Sequence, residues 1–174
     1  MKRLGITNPH AVPRVMRVVV SVGVGKQRDN VQFIEAVRRD LALITGQAPQ
    51  ERRARKSVAG FNVREGNLVG YRVTLRGKRR DDFIKRFVDV TLPRVRDFRG
   101  LVKTSLDGHG NLSVGLAEHL PFPEVQPEKT DVIFGVQVTF VTSATTNEAG
   151  LELFSELGFP IEGAMREPEL AKQG

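Results

Sequence analysis

ERRARKSVAGFNVREGNLVGYRVTLRGKRR, residues 51–80, decides how this chain folds and what it can meet. The stretch holds ten Lys or Arg against two Glu, a net charge of +8. Its second half alternates: Val69, Tyr71, Val73 and Leu75 fall on one side of an extended chain, and Arg72, Thr74 and Arg76 on the other. A period of two predicts a half-buried strand, with one face on a core and the other presenting arginines. In the first half, Arg52, Arg53, Arg55 and Lys56 run into Ser57, Gly60 and Gly66, which predicts a basic loop with flexible points. A cationic sheet face beside a mobile cationic loop suits a polyanion with shape, folded nucleic acid before anything else.

Working outward, the charge is uneven. Residues 1–100 carry 23 basic and 9 acidic side chains, net +14, while residues 101–174 carry 4 and 11, net −7. Such asymmetry turns one side of a molecule toward an anionic surface and leaves an acidic side facing away. The 174 residues suffice for a single domain with a real core, and 40% hydrophobic content is that of a globular chain. With no Cys, disulfides and thiolate metal sites are excluded. No apolar run nears the ~20 residues that span a bilayer. MKRLGITNPH at the start lacks the apolar core of a secretory signal, so a cytoplasmic protein is expected.

Before the basic stretch, residues 1–12 read as irregular, with Pro9 and Pro13 opposing a helix. Arg17 to Val24 is β-branched almost throughout and predicts a strand buried on both faces. It runs into Gly23-Val24-Gly25-Lys26, which resembles a phosphate loop but lacks its glycine spacing and the Lys-Ser/Thr pair. Asp29 or Asn30 can cap a helix whose stripe is Val31, Ile34, Val37, Leu41 and Ile44, and Gly46 can stop it. Gln47 follows at its end.

After the basic stretch, Arg80 to Val90 predicts a second helix with Phe83, Ile84, Phe87 and Val88 inward, ended by Pro93. Lys78-Arg79-Arg80 ahead of it oppose the helix dipole, so those cations serve a partner or a buried anion of the protein's own. Arg94, Arg96 and Arg99 form another basic cluster around Phe98. Residues 105–127 read as turn-rich and irregular. Gly135 to Thr142 is an alternating strand, and Asn147 can cap a last helix carrying Leu151, Phe154 and Leu157. Glu162 to Gly174 reads as a flexible tail. No repeat or domain boundary shows, and a single α+β domain is expected, with helices on one face of a mainly antiparallel sheet.

Chemistry is sparse. His10, His109 and His119 are not at metal-ligand spacing, and Ser57 and Ser113 have no activating motif, so neither an enzyme nor a cofactor is expected. Phe61, between Gly60 and Asn62 in the basic loop, can stack on an exposed base or close a small loop core. His109, between glycines, can touch a phosphate or simply be exposed.

Several motifs in order resemble one known family. They are ALITGQ at 42–47, ARKSVAGF at 54–61, RVTLRG at 72–77, LPRVRDFRGL at 92–101, DGHGN at 107–111, FPE at 122–124 and LGFP at 157–160. From about Val12 to Pro160 the chain resembles the bacterial large-subunit ribosomal protein five family, which binds 5S rRNA. The resemblance implies an antiparallel sheet, backed by helices, whose concave face holds 5S rRNA. Other surfaces of the protein are implied to hold a 23S rRNA helix in the central protuberance, with a loop at the elbow of P-site tRNA, a bridge to a small-subunit head protein, and neighbouring 5S-binding ribosomal proteins as partners.

Carried onto this chain, the family's RNA contacts match Gln47, Phe61 and Thr74, beside Arg72 and Arg76 of the strand and Ser21 of the first strand. Arg53, Arg55, Lys56 and Arg64 fall in the tRNA-facing loop. Lys26, Lys78, Arg79, Arg94, Arg96, Arg99 and His109 are the remaining expected rRNA phosphate contacts. Ser21 stands where the family usually has Asn, and His109 where it usually has Arg. The resemblance also implies a shortened N-terminus and a tail longer than usual. The alternative is a general RNA-binding or RNA-chaperone module, which calls for several exposed aromatics on one sheet face.

Overall fold

The computed structural model describes residues 11–96, 98, 100–130 and 132–161. Five antiparallel strands form one sheet: β1 (Val15–Gly23), β2 (Gln50–Arg53), β3 (Leu68–Leu75), β4 (Leu112–Leu116) and β5 (Val136–Thr142). Their order is β2-β3-β1-β5-β4, so the β-branched β1 lies at the centre. On one face the strands place matched apolar rows. Val18 lies between Leu75 and Phe140, and Val20 between Val73 and Val138. Leu112 and Val114 of β4 continue the rows past Phe140 and Val138. Each such side chain contributes about 1.5–3 kcal/mol when fully buried. Helices cover this face, giving the expected α+β architecture.

Helix α1 (Val31–Thr45) begins where the sequence signals it: Asn30 Oδ1 accepts the Phe33 N–H at 3.1 Å. Gly46, at φ 65°, ends it in the left-handed conformation that a side chain disfavours. The expected stripe needs one correction. Val31 is 67% exposed, and Phe33 takes its place in the core beside Val37, Leu41 and Ile44. The first helical residue lies at the rim, where the turn has not yet faced the sheet.

Helix α2 (Gly77–Arg86) starts earlier than Arg80, because Lys and Arg are good helix formers and Arg76 serves as its extended N-cap residue. Lys78-Arg79-Arg80 thus occupy the first turn. Arg80 is internally satisfied: its guanidinium donates to Val15 O at 2.7 Å and pairs with Asp81 at 2.7 Å. A wide π-type turn, Phe87–Thr91, follows, in which the Leu92 N–H reaches back to Phe87 O. Pro93 has no N–H to give Asp89, and the wide turn absorbs that missing bond before the last helical turn, α3 (Leu92–Arg94). The helix therefore runs one residue past Pro93.

Helix α4 (Asn147–Glu156) is capped by Thr146, whose hydroxyl accepts the Ala149 N–H; Asn147 instead accepts the Gly110 N–H. Phe154 is buried, Leu151 half-buried and Leu157 exposed. The helix layer is sealed by phenylalanines: Phe87 lies within 5.4–6.4 Å of the rings of Phe83, Phe122, Phe140 and Phe159. Strand β4 falls inside the segment expected to be irregular. The turn dipeptides around Asp107 and Gly110 hide it in sequence, and pairing with β5 creates it.

Candidate nucleic-acid interface

Among the described residues, the outward rows of the opposite face of the sheet are polar and largely open. Cross-strand register assembles one row from all five strands: Gln50, Arg72, Ser21, Gln137 and Gly115. The next row is Thr74, Val19, Thr139 and Ser113. Arg72 and Gln137 are exposed; Ser21, Thr74, Thr139 and Ser113 are half-buried. Ser113 and Thr139 hydroxyls bond each other at 3.1 Å. A Cβ built on Gly115 or Gly23 would meet nothing within 4 Å, so at these points a ligand backbone can approach the main chain closely.

This corrects the expectation that β1 is buried on both faces. Arg17 and Gly23 are exposed and Ser21 is half-buried; only Val19 among the outward residues is buried, at 5% exposure, between Thr74 and Thr139. A β-branched run without polar punctuation conceals which of its faces is open.

Arg72, Thr74 and Arg76 all sit off the core side; Arg76 is exposed just beyond β3 at the start of α2. Neither Arg72 nor Arg76 makes a hydrogen bond or ion pair with another described residue. Gln47 lies beside Thr74, its Nε2 donating to the Thr74 carbonyl at 3.5 Å. Arg17, Gln50, Gln137 and Thr139 carry no sequence motif that marks them for this face, and Ser113 shows only as a serine without an activating motif. The period-two parity of β5 would have found Gln137 and Thr139 once β1 was known as its neighbour.

Residues 50–53 form the edge strand β2, so the basic loop is the tip of a hairpin rather than a free loop. Its closing bonds run from Ala54 N to Asn67 O, from Gly66 N to Ala54 O, and in both directions between Val58 and Val63. Ser57 Oγ accepts the Glu65 N–H at 2.9 Å, and Arg28 donates to Asn62 O at 2.8 Å, tying the tip to the turn before α1. Arg53 is held at the hairpin base by Glu51 and the Gly66 carbonyl. Arg55, Lys56 and Arg64 are exposed and unpaired among the described residues. Phe61 belongs to the turn Ala59–Phe61, and its side chain lies outside the described residues.

The other expected contacts are dispersed. Lys26 is exposed in a three-residue 3-10 turn, Gly25–Gln27, that opens no α-helix, so the phosphate-loop resemblance has no helix N-terminus to act through. Lys78 and Arg79 are exposed on α2, and Arg94 and Arg96 flank a hollow beside β4. Arg99 lies outside the described residues. His109 is exposed in a turn built by Asp107, whose carboxylate accepts the His109 and Asn111 N–H groups and the Asn111 amide. The Asn111 amide, with those N–H groups, holds the Asp107 carboxyl below the usual range.

Among the described residues no cluster of His, Asp and Glu is arranged to hold a metal, and no helix is long and apolar enough to cross a membrane.

A sheet armoured by helices on one side, bare, polar and arginine-bearing on the other, has the chemistry to hold a polyanion. Residues 8–64 match the family description "Ribosomal protein L5", and residues 68–161 match the description of the C-terminus of the same ribosomal family. The "Large ribosomal subunit protein uL5" of Dictyoglomus thermophilum is 48% identical over 162 residues, 93% of this chain and 90% of the relative. That of Halothermothrix orenii is 47% identical over 161 residues, 92% and 90% of the two chains. That of Rubrobacter xylanophilus is 48% identical over 160 residues, 92% and 89%. The chain belongs to the ribosomal protein L5 family, the bacterial uL5 proteins of the large ribosomal subunit, which are structural constituents rather than enzymes. The two matched segments interleave in space, since β1 and β2 come from the first and β3, β4 and β5 from the second.

Proposed function

We propose that this chain, as part of the large subunit in the bacterial cytoplasm, holds 5S rRNA on the bare face of its sheet. The observation that carries the reading is the row Gln50–Arg72–Ser21–Gln137–Gly115: a lone exposed arginine among short polar groups and glycine, on a rigid pleated support. Arginine takes phosphate bidentately, and Ser21, Thr74, Gln47 and Gln137 suit ribose hydroxyls and base edges. The hairpin, with Arg53 at its base and Arg55, Lys56 and Arg64 toward its tip, faces P-site tRNA. Lys26, Lys78, Arg79, Arg94, Arg96, Arg99 and His109 meet further rRNA phosphates, and another surface meets a small-subunit head protein across the bridge. Neighbouring 5S-binding proteins complete the central protuberance.

The general RNA-chaperone reading is disfavoured by the same rows. Neither contains an aromatic residue, and Tyr71 points into the core at 3% exposure. Sequence-tolerant single-strand binding uses stacked aromatics on such a face. A gel shift with 5S rRNA against tRNA competitor tests the proposal. Salt-sensitive binding to 5S rRNA that tRNA fails to displace is expected; equal affinity for unrelated RNA would refute it.

A further inference from the structure

At the β4 edge of the sheet lies a hollow of about 490 Å³. Val95, Leu120 and Pro121 give it apolar walls, and Arg94, Arg96 and Glu118 are its charged groups. All three charged side chains are exposed, and none makes a hydrogen bond or ion pair with another described residue. Two cations and one anion thus surround an apolar space without neutralising one another. Leu116, the last residue of β4, lines this hollow and also the shallow groove on the bare sheet face that includes Ser21, Gly115 and Gln137. The hollow and the groove on the face assigned to RNA thus meet at Leu116.

We infer that this hollow takes one unstacked guanosine of the bound RNA, with Glu118 reading the base and Arg94 and Arg96 holding its phosphates. The inference rests on the RNA-binding reading of the sheet and adds a base-specific pocket to it. A carboxylate has only acceptors to offer. Guanine alone presents two adjacent donors, N1–H and the N2 amino group, on its Watson–Crick edge, matching two carboxylate oxygens. Cytosine and adenine set a ring acceptor beside their amino group, and uracil flanks its single donor with carbonyls, so each turns an acceptor toward Glu118. Apolar side chains pack on the faces of an extruded base, and arginine forks fit phosphate oxygens. An acidic protein segment could pair with the arginines but would meet Glu118 repulsively, which favours a nucleotide.

The test is a titration of the full chain, followed by 15N–1H correlation spectra, with 5′-GMP, 5′-CMP, inorganic phosphate and hexaglutamate in parallel. GMP is expected to shift the Val95, Arg96, Ala117 and Glu118 amides, with phosphate moving only the arginine side. Glu118→Gln should weaken GMP about tenfold, the loss of a charged hydrogen-bond pair, and leave CMP unchanged. Arg96→Ala should weaken GMP and phosphate together. Equal response to GMP and CMP, or no response at those amides, overturns the pocket. A response to hexaglutamate in place of GMP also overturns it and assigns a protein partner. A 5S rRNA gel shift run alongside separates the two readings: 5S binding without a GMP response removes the pocket alone, while no 5S binding removes the wider proposal.

Discussion

His119 Nε2 lies 3.3 Å from Asp40 Oδ2, and the imidazole is fully enclosed. The ring stacks on Phe134 with centroids 3.8 Å apart, and Arg39 donates to the other Asp40 oxygen at 2.8 Å. The pair pins the segment after β4 to α1 at ion-pair distance, without the alignment of a hydrogen bond. Burial pushes the His119 pKa below its ordinary 6.5, against the opposing pull of Asp40 and, more weakly, Glu118.

Stability should therefore fall in acid through this one residue. The folded chain keeps His119 neutral where the unfolded chain already binds a proton, so this contribution is complete above 6.5. It declines as pH drops through 6.5 toward the lowered folded value and is flat below that. Urea unfolding at about pH 7.5 and about pH 5 should show a larger loss for wild type than for His119→Gln. An identical loss in both would mean that His119 is silent.

Arg72 is an exposed cation of the bare face on β3, flanked by Gln50 and Ser21. Arg72→Ala should flatten the log–log salt dependence of 5S rRNA binding by about one unit, the signature of one lost phosphate contact. Thr74→Ala, if it leaves an RNA group unpaired, should cost about 1–3 kcal/mol with little change in that slope. Filter binding over a salt series separates the two effects. Wild-type affinity in the Thr74 variant would count against the face.

The hairpin tip should be separable from the sheet. Arg55 and Lys56 lie beyond β2 and pair with nothing among the described residues. Arg55→Ala with Lys56→Ala should leave 5S rRNA affinity nearly intact and speed release of P-site tRNA from assembled ribosomes. Loss of 5S binding in this double variant would show that the tip was assigned to the wrong RNA.

Phe87 meets four other phenylalanine rings at 1% exposure, in the wide turn that Pro93 imposes. Phe87→Ala should cost about 3–5 kcal/mol, since the rings around it are held by different elements and cannot close the gap. Thermal unfolding measures this; a loss under about 1 kcal/mol would mean that the core collapses around the site.

Much of the fold is legible where the signal is local. Asn30 and Gly46 bracket α1 because capping is chemistry within one turn of chain. The parity of residues 69–76 gives the arginine-bearing face of β3 because side chains alternate whatever the neighbours are. The same reasoning fails for β1. Its valines read as doubly buried, and only the absence of a second helix layer among the described residues leaves Ser21 and Arg17 open. It fails for β4 too, where Leu112–Leu116 is too short beside strong turn residues to declare itself without β5.

By itself the sequence determined the pieces: a cationic strand with one apolar side, a well-capped helix, an acidic second half, and the motifs of one ribosomal family. Each depends on interactions spanning a few residues, or on residue order itself. Only the tertiary structure decided the strand order β2-β3-β1-β5-β4, which sets Ser21 between Arg72 and Gln137, and brought His119 against Asp40. Those neighbours lie tens of residues apart in the chain. Their meeting is set by which apolar faces can be buried together, a property of the assembled core that no local pattern contains.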